Sequence, residues 1–299
     1  MTIKQLVKHA TDKSKFQDLA GYINFCTEYL NYVEENLQAI IVSQNENNYS
    51  FYQYKKEANF QITRPINTNL MISANEFKKS STEYLKILRT IKDVNKRNTS
   101  IRNLLNNSTY TIQQSVGAAL DALPAGKSNT ARKLNGDLFE NFIRLILLEI
   151  GINCKSGVVQ VPVTVKNKEL FKMSYQHDLI IEQNDELKVI GSVKTSSKDR
   201  IDKIFIDKFL YNKLTETQTP HIAIFLNDVQ RKKTKKENEY GINSTFLPGH
   251  FKGYTVKLNP LDGVYYCDIR PNMKTEEILK DHIKTFDHLL INDIWKLIK

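Results

Sequence analysis

The stretch that decides the fold is HDLIIEQNDELKVIGSVKT, residues 177–195. Two apolar runs flank Gln183–Asn184–Asp185, residue types that accept the backbone of a tight turn. The pattern predicts two antiparallel strands joined by a short hairpin. The outer ends of a hairpin are neighbours, so Asp178 and Lys194 meet at one rim of a sheet. A carboxylate and an ammonium held together there suit metal-assisted phosphodiester hydrolysis. The carboxylate takes a hard divalent cation such as Mg2+, and the lysine orients the nucleophile or neutralises developing charge. A single carboxylate is a poor site for such a cation, which wants further oxygen ligands. Taken alone, each of the two residues reads equally as part of a solvated strand pair.

The flanks add candidates. Downstream, Lys198, Asp199 and Arg200 stand together ahead of IDKIFIDKFLYNKL, 201–214, which has helical periodicity and carries Asp202 and Asp207. By itself the triplet is a turn in which Asp199 complements a helix dipole. Upstream, NTARKLNGDLFENFIRLILLEIG, 129–151, reads as a long amphipathic helix ending at Gly151. It offers Glu140, and nearer its end Glu149, as a supporting acid, although exposed glutamates on helices are common.

Composition bounds the rest. The chain has 299 residues, 40% of them hydrophobic, and a formal net charge of +10. That is a globular chain with room for one large domain or two smaller ones. The basic excess divides equally between the chain up to Lys127 and the chain beyond it, so it is no basic tail. It points to a polyanionic partner, with a lysine-rich genome as the plain alternative. Cys26, Cys154 and Cys267 have neither disulfide-framework nor zinc-site spacing. No apolar run reaches the ~18 residues of a membrane span, and MTIKQLVKHATDK lacks the apolar core of a signal peptide. The expectation is a cytoplasmic, thiol-reduced protein.

Asp178, Lys194, Asp207 and the Lys198–Asp199–Arg200 triplet together resemble the PD-(D/E)xK nucleases. The acid usually found two residues before the lysine is Ser192 here. In one branch of the type II restriction endonucleases (the SsoII, PspGI and NgoMIV type) that acid is relocated onto the following helix. Asp207, thirteen residues after Lys194, matches it, and the triplet matches the branch's base-reading segment. The resemblance implies an α/β (α+β) fold, a restriction-endonuclease-like mixed sheet flanked by helices. It implies Mg2+-dependent cleavage of double-stranded DNA at a palindrome bounded by CC/GG, of CCGG, CCNGG or CCWGG type. A homodimer in a prokaryotic cytoplasm follows. Asp178 and Asp207 would hold the metal, Lys194 would assist the attacking water, and Glu140 would support. Asp199 would accept from the cytosines, with Lys198 and Arg200 on the guanines. The alternatives are another nuclease of the same fold, such as a repair or junction enzyme, and a non-catalytic DNA-binding module.

The Pro/Gly/Ser-bearing loop PAGKSNT, 124–130, divides a mainly helical N-terminal subdomain, 1–125, from a catalytic domain, 126–299. The first part, serving DNA contact or dimerisation, reads as helices over 15–42, over 74–94 behind a Ser73–Glu76 capping box, and over 108–123. A strand or hairpin is expected within 45–66. There Tyr49, Phe51, Tyr52 and Tyr54, with Lys55 and Lys56, suit either base stacking or core packing. In the second part VVQVPVTV, 158–165, reads as an edge strand because of Pro162. PHIAIFLNDV, 220–229, and YTVKLNP, 254–260, read as strands, and 275–299 as helix. RKKTKKENE, 231–239, is a solvated or phosphate-contacting loop. His250 is either a general base or an ordinarily hydrogen-bonded loop residue.

Overall fold

The structure, a computed structural model, describes residues 1–55, 62–166, 168–198, 200–236 and 239–299. Asp199 and Lys56, and Glu237 and Asn238 of the basic loop, lie outside the described residues. The ordered elements are α1 (Ile3–Thr11), α2 (Leu19–Asn36), β1 (Leu37–Val42), β2 (Tyr49–Tyr54), β3 (Ile66–Asn67), α3 (Ala74–Arg89), α4 (Thr99–Leu120) and α5 (Ser128–Glu149). They continue with β4 (Cys154–Val165), β5 (Lys168–Gln183), β6 (Glu186–Ser196), α6 (Ile201–Thr215), β7 (His221–Asn227), β8 (Val229–Lys233), β9 (Tyr240–Ser244), α7 (Pro248–Lys257), β10 (Gly263–Tyr266) and β11 (Ile283–Thr285).

The hairpin forms where its residues demand it. Asn184 and Asp185 both take positive φ, 53° and 63°, the backbone of a two-residue turn whose twist matches the strands. Gln183 pairs with Glu186 across that turn. Between Ile181 and Glu182 the register slips by one, leaving Lys188 as the extra residue of a β-bulge. Beyond the bulge Ile180 pairs with Ile190 and Leu179 with Gly191. Continued one pair further, the register sets Asp178 opposite Ser192, on the face that Lys194 shares.

This hairpin sits inside a six-stranded mixed sheet of order β11-β10-β7-β6-β5-β4. Strands β6, β7, β10 and β11 run parallel, while β5 and β4 run antiparallel to their neighbours. β4 is the edge, which is where Pro162, lacking an N–H, costs no ladder bond. One face of the sheet, with Leu179, Val189, Val193 and Ile224, packs on α5 and the N-terminal helices in the largest core cluster. The other, with Ala223 and Phe225, packs on Ile201, Ile204 and Phe205 of α6 and Phe251 of α7. The expected mixed sheet flanked by helices is therefore the observed architecture.

The loop around 125 is a turn between α4 and α5. The main core is continuous across it, from Leu6 and Phe25 through the buried α4 to Phe142 and Val193. The Ser73–Glu76 capping box is formed, and Gly151 closes α5 with φ 84°. All three cysteines are buried and free. Among the described residues no helix is long and apolar enough to cross a membrane.

Several elements differ from expectation: Arg231–Lys233 of the expected basic loop belong to β8, and His250 lies in α7. The helix over 15–42 stops at Asn36, and LQAIIV instead forms β1, paired antiparallel with β2. Its β-branched residues favour an extended backbone once a partner strand is present. The segment 254–260 lies largely in α7, where the Tyr254 ring packs at a tilt against Phe205 of α6. The C-terminal helix is interrupted by β11, whose Ile283 pairs with Val264 and extends the sheet. A short apolar run carries no period that separates these outcomes, and tertiary pairing decides.

Gly191 is buried in the middle of the hairpin. A Cβ there would lie 2.9 Å from Leu179 Cδ1 and 3.3 Å from Ile222 Cγ1. Gly191→Ala should lower unfolding stability by about 1–3 kcal/mol through overpacking. Urea denaturation measures it, and an unchanged midpoint would show that Leu179 and Ile222 give way freely.

Candidate active site

At the C-terminal end of β6, three charged side chains meet. Lys194 Nζ donates to Glu140 Oε1 at 2.9 Å and to Asp178 Oδ2. The same Asp178 oxygen accepts the Val193 N–H at 2.8 Å, which fixes the carboxylate against the strand. Glu140 comes from α5 on one face of the sheet, and Asp178 from the start of the β5–β6 pairing. Lys194 is thus the cation shared by two acids that lie 54 and 16 residues before it in the chain and meet it at the sheet rim.

The electrostatics follow from burial and like charge. Side-chain exposure is 29% at Lys194, 12% at Asp178 and 32% at Glu140. Burial raises the Glu140 pKa above the usual carboxylate value, and the Asp178 charge adds to the rise, while Lys194 opposes both. Burial alone would depress the Lys194 ammonium. The Asp178 and Glu140 charges outweigh it, so the lysine pKa is raised and the side chain is held as a cation.

The cluster opens onto a cleft of about 820 Å³. Lys194, Glu140, Thr195, Ser196, Lys198 and Arg200 line it, with Arg132 and Lys133 from α5 and Gln230 from β8. Lys198 is exposed in the turn after β6, and its Nζ donates to Gln230 Oε1 at 3.4 Å. Arg200 is the exposed N-cap residue of α6. The described members of the triplet therefore share a cleft with the Lys194 cluster.

Asp207 is not joined to that cluster. It lies on α6, forms its ion pair with Lys203 one turn earlier, and acts electrostatically on Tyr175 and His177. Among the described residues no hydrogen bond or ion pair links it to Asp178, Glu140 or Lys194. Asp202 pairs with His250 Nδ1 at 3.1 Å, and neither lines the cleft. Glu149 bonds Arg89 Nε at 2.6 Å near the far end of α5. The four aromatic residues of β2 are all buried, and Tyr49 and Tyr54 use their hydroxyls on Asp268 and the Ala118 carbonyl. They are core residues and are not available as a wedge.

Arg132, Lys133 and Gln230 were not anticipated. Helical spacing carried the signal for the first: Arg132, Gly136 and Glu140 recur every four residues and share one face of α5. Gln230 had no signal, because the pairing that turns β8 towards the cleft is tertiary.

Among the described residues no group of three or more His, Cys, Asp or Glu side chains is arranged to hold a metal ion. The two convergent carboxylates still fit a hard divalent cation in part. They are all-oxygen donors, and their mutual repulsion at Glu140 would be relieved by added positive charge.

No protein-family model matches the chain, and no curated protein matches it. The solved structure described as "Crystal structure of Type IIP restriction endonuclease Kpn2I" is similar, with a TM-score of 0.73 at 18% sequence identity. The likeness covers 98% of this chain and 96% of that one. This chain has the Kpn2I fold. The "Restriction endonuclease PspGI-substrate DNA complex" gives a TM-score of 0.42 at 13% identity, over 74% of this chain and 90% of that one.

Lys194→Met removes the shared cation and leaves Glu140 facing Asp178 unscreened. The Glu140 pKa should rise further above the usual carboxylate range, as read by NMR titration of the side-chain carboxyl. An unchanged titration would show that Lys194 is not its counter-ion.

Proposed function

We propose that the protein is a type II restriction endonuclease that cleaves double-stranded DNA at a palindrome bounded by CC/GG, with Mg2+ as cofactor. The observation that carries this reading is one cleft at the sheet rim lined by Lys194 and Glu140, with Asp178 bonded to that same lysine, and by the basic residues Lys198 and Arg200. The whole-chain likeness to Kpn2I, itself described as a type IIP restriction endonuclease, supports it at the level of fold.

Each residue has a role that its position permits. Asp178 and Glu140 would hold Mg2+, which when bound supplies Lewis-acid activation of water and neutralises phosphate charge. Asp207 would join them by leaving its pair with Lys203, since α6 packs on the sheet face that Lys194 shares. Lys194 orients the attacking water and offsets charge on the scissile phosphate. Arg132 places further positive charge along the cleft for the DNA backbone, while Lys133 is paired there with Asp137. Lys198, Asp199 and Arg200 read adjacent G·C pairs, the basic residues from guanine O6 and N7 and the acid from the cytosine amino groups. A homodimer presents two such clefts to the two halves of a palindrome, one per strand.

Purified protein with plasmid DNA and Mg2+ should give discrete fragments ending at CC/GG sites, and EDTA should stop the cutting. Lys194→Ala should abolish cleavage while binding stays nearly intact, and Asp207→Asn should do the same. Continued cutting by either variant removes that residue from the site. A smear or structure-specific nicking from the wild type would point to a repair or junction enzyme instead.

Asp199→Ala should erase site preference at constant Mg2+ requirement. Sequencing of the cleaved ends decides this, and an unaltered consensus rules out base reading by the triplet.

A further inference from the structure

The described members of the triplet hang on two serines. The Lys198 N–H donates to Ser196 Oγ at 3.3 Å, and the Arg200 N–H donates to the Ser197 carbonyl at 3.2 Å. Both serine hydroxyls in turn meet one atom, Thr245 Oγ1, at 3.2 Å from Ser196 Oγ and 3.3 Å from Ser197 Oγ. Thr245 follows β9 and is half-buried, while Ser197 is buried. The Thr245 hydroxyl also bonds the carbonyl of Asp228, the residue between β7 and β8, at 2.7 Å. One side chain therefore joins the end of β6 to the turn that follows β7.

The direction of these bonds follows from the donor count. A hydroxyl has one hydrogen and two lone pairs, and a carbonyl oxygen only accepts. The Thr245 hydrogen is committed to Asp228, so Ser196 and Ser197 both donate to the Thr245 lone pairs. The bonds run one way, from the Lys198 N–H through Ser196 to Thr245 and on to the Asp228 carbonyl. Bonds aligned in this manner polarise and strengthen one another. The far end is held firmly: Asp228 is buried, and its carboxylate accepts from Ser244 Oγ at 2.7 Å. Valine in place of Thr245 would keep the shape and leave the buried Ser197 hydroxyl without its acceptor.

We propose that Thr245 is a positioning residue for base reading: its one hydroxyl fixes the Ser196–Ser197 segment and through it the placement of Lys198 and Arg200 in the cleft. Thr245 does not line that cleft and need not touch DNA. A side chain that reads a base must be held to within ~0.5 Å, and exposed residues such as Lys198 and Arg200 have only their backbone to hold them. The inference rests on the reading of the triplet given above, and adds to it the residue that holds the triplet in place.

The test compares full-length wild type, Thr245→Val and Thr245→Ser by two readouts. The first is amide hydrogen exchange at Lys198 in the free protein. Thr245→Val should speed it, and Thr245→Ser, which keeps the hydroxyl, should leave it as in the wild type. The second is the ratio of kcat/KM on a CC/GG duplex to that on duplexes with one core G·C pair replaced. Thr245→Val should lower that ratio by about tenfold or more, the discrimination of one good base contact, and Thr245→Ser should restore it. The Mg2+ requirement should hold in both variants. An equal fall in kcat/KM on every duplex would make Thr245 merely structural and overturn the proposal, as would an unchanged ratio. Ser196→Ala breaks the same line of bonds one step nearer Lys198, and carries both readouts if the valine variant does not fold. The two layers separate. A wild type without CC/GG preference sinks the triplet's assignment. Unchanged Lys198 exchange in Thr245→Val sinks the positioning role whatever the DNA preference.

Discussion

The register of one hairpin governs the site. Asn184 and Asp185 supply the left-handed backbone that closes the turn, and Lys188 bulges out of the ladder three residues later. Side chains alternate between sheet faces, so a slip of one residue moves a whole strand's pattern to the other face. Without the bulge, Asp178 would oppose Gly191 and share a face with Val193. With it, Asp178 falls opposite Ser192 and shares a face with Lys194. The bulge therefore decides whether acid and lysine can meet, and the sheet on either side only has to hold that choice in place.

The second consequence is electrostatic. Asp178 and Glu140 arrive from different elements and face each other through a single ammonium. Partial burial disfavours both charged forms: it raises the Glu140 pKa, with the Asp178 charge adding to the rise, whereas at Lys194 the two acids outweigh it and raise the lysine pKa. The cluster carries more negative than positive charge, in a cleft whose other charged lining residues are Arg132, Lys133, Lys198, Arg200 and Asp137. Such a site resists losing its lysine charge at neutral pH and favours further positive charge from a cation. It also keeps the negative potential local, so that a polyanion can approach along Arg132, Lys133, Lys198 and Arg200.

What could be read in the sequence divides along local and non-local lines. The hairpin turn, the capping box at Ser73, the Gly151 helix end and the edge position of Pro162 each depend on a few adjacent residues, and each is present in the structure. Glu140 was reachable because the resemblance asks for a further acid on the helix before the hairpin. The strand character of 37–42 and of 283–285, and the helix over 248–257, were not legible, because pairing partners far along the chain decide them. The distance of Asp207 from Lys194 along the chain fits the resemblance, yet its side chain is spent on Lys203, a contact set by helix geometry and local charge.

Ser192 gains a physical meaning from the same register. Its side chain lies on the Lys194 face and opposite Asp178, where directly paired side chains stand ~5 Å apart. An aspartate or glutamate at 192 would add a third negative charge within that distance of Asp178, with one ammonium to balance all three. Serine removes the repulsion and keeps a hydroxyl at the rim. Glu140 reaches the same lysine from helix α5, on a different element from Asp178. With two acids at the rim instead of three, the single ammonium of Lys194 contacts every carboxylate of the cluster.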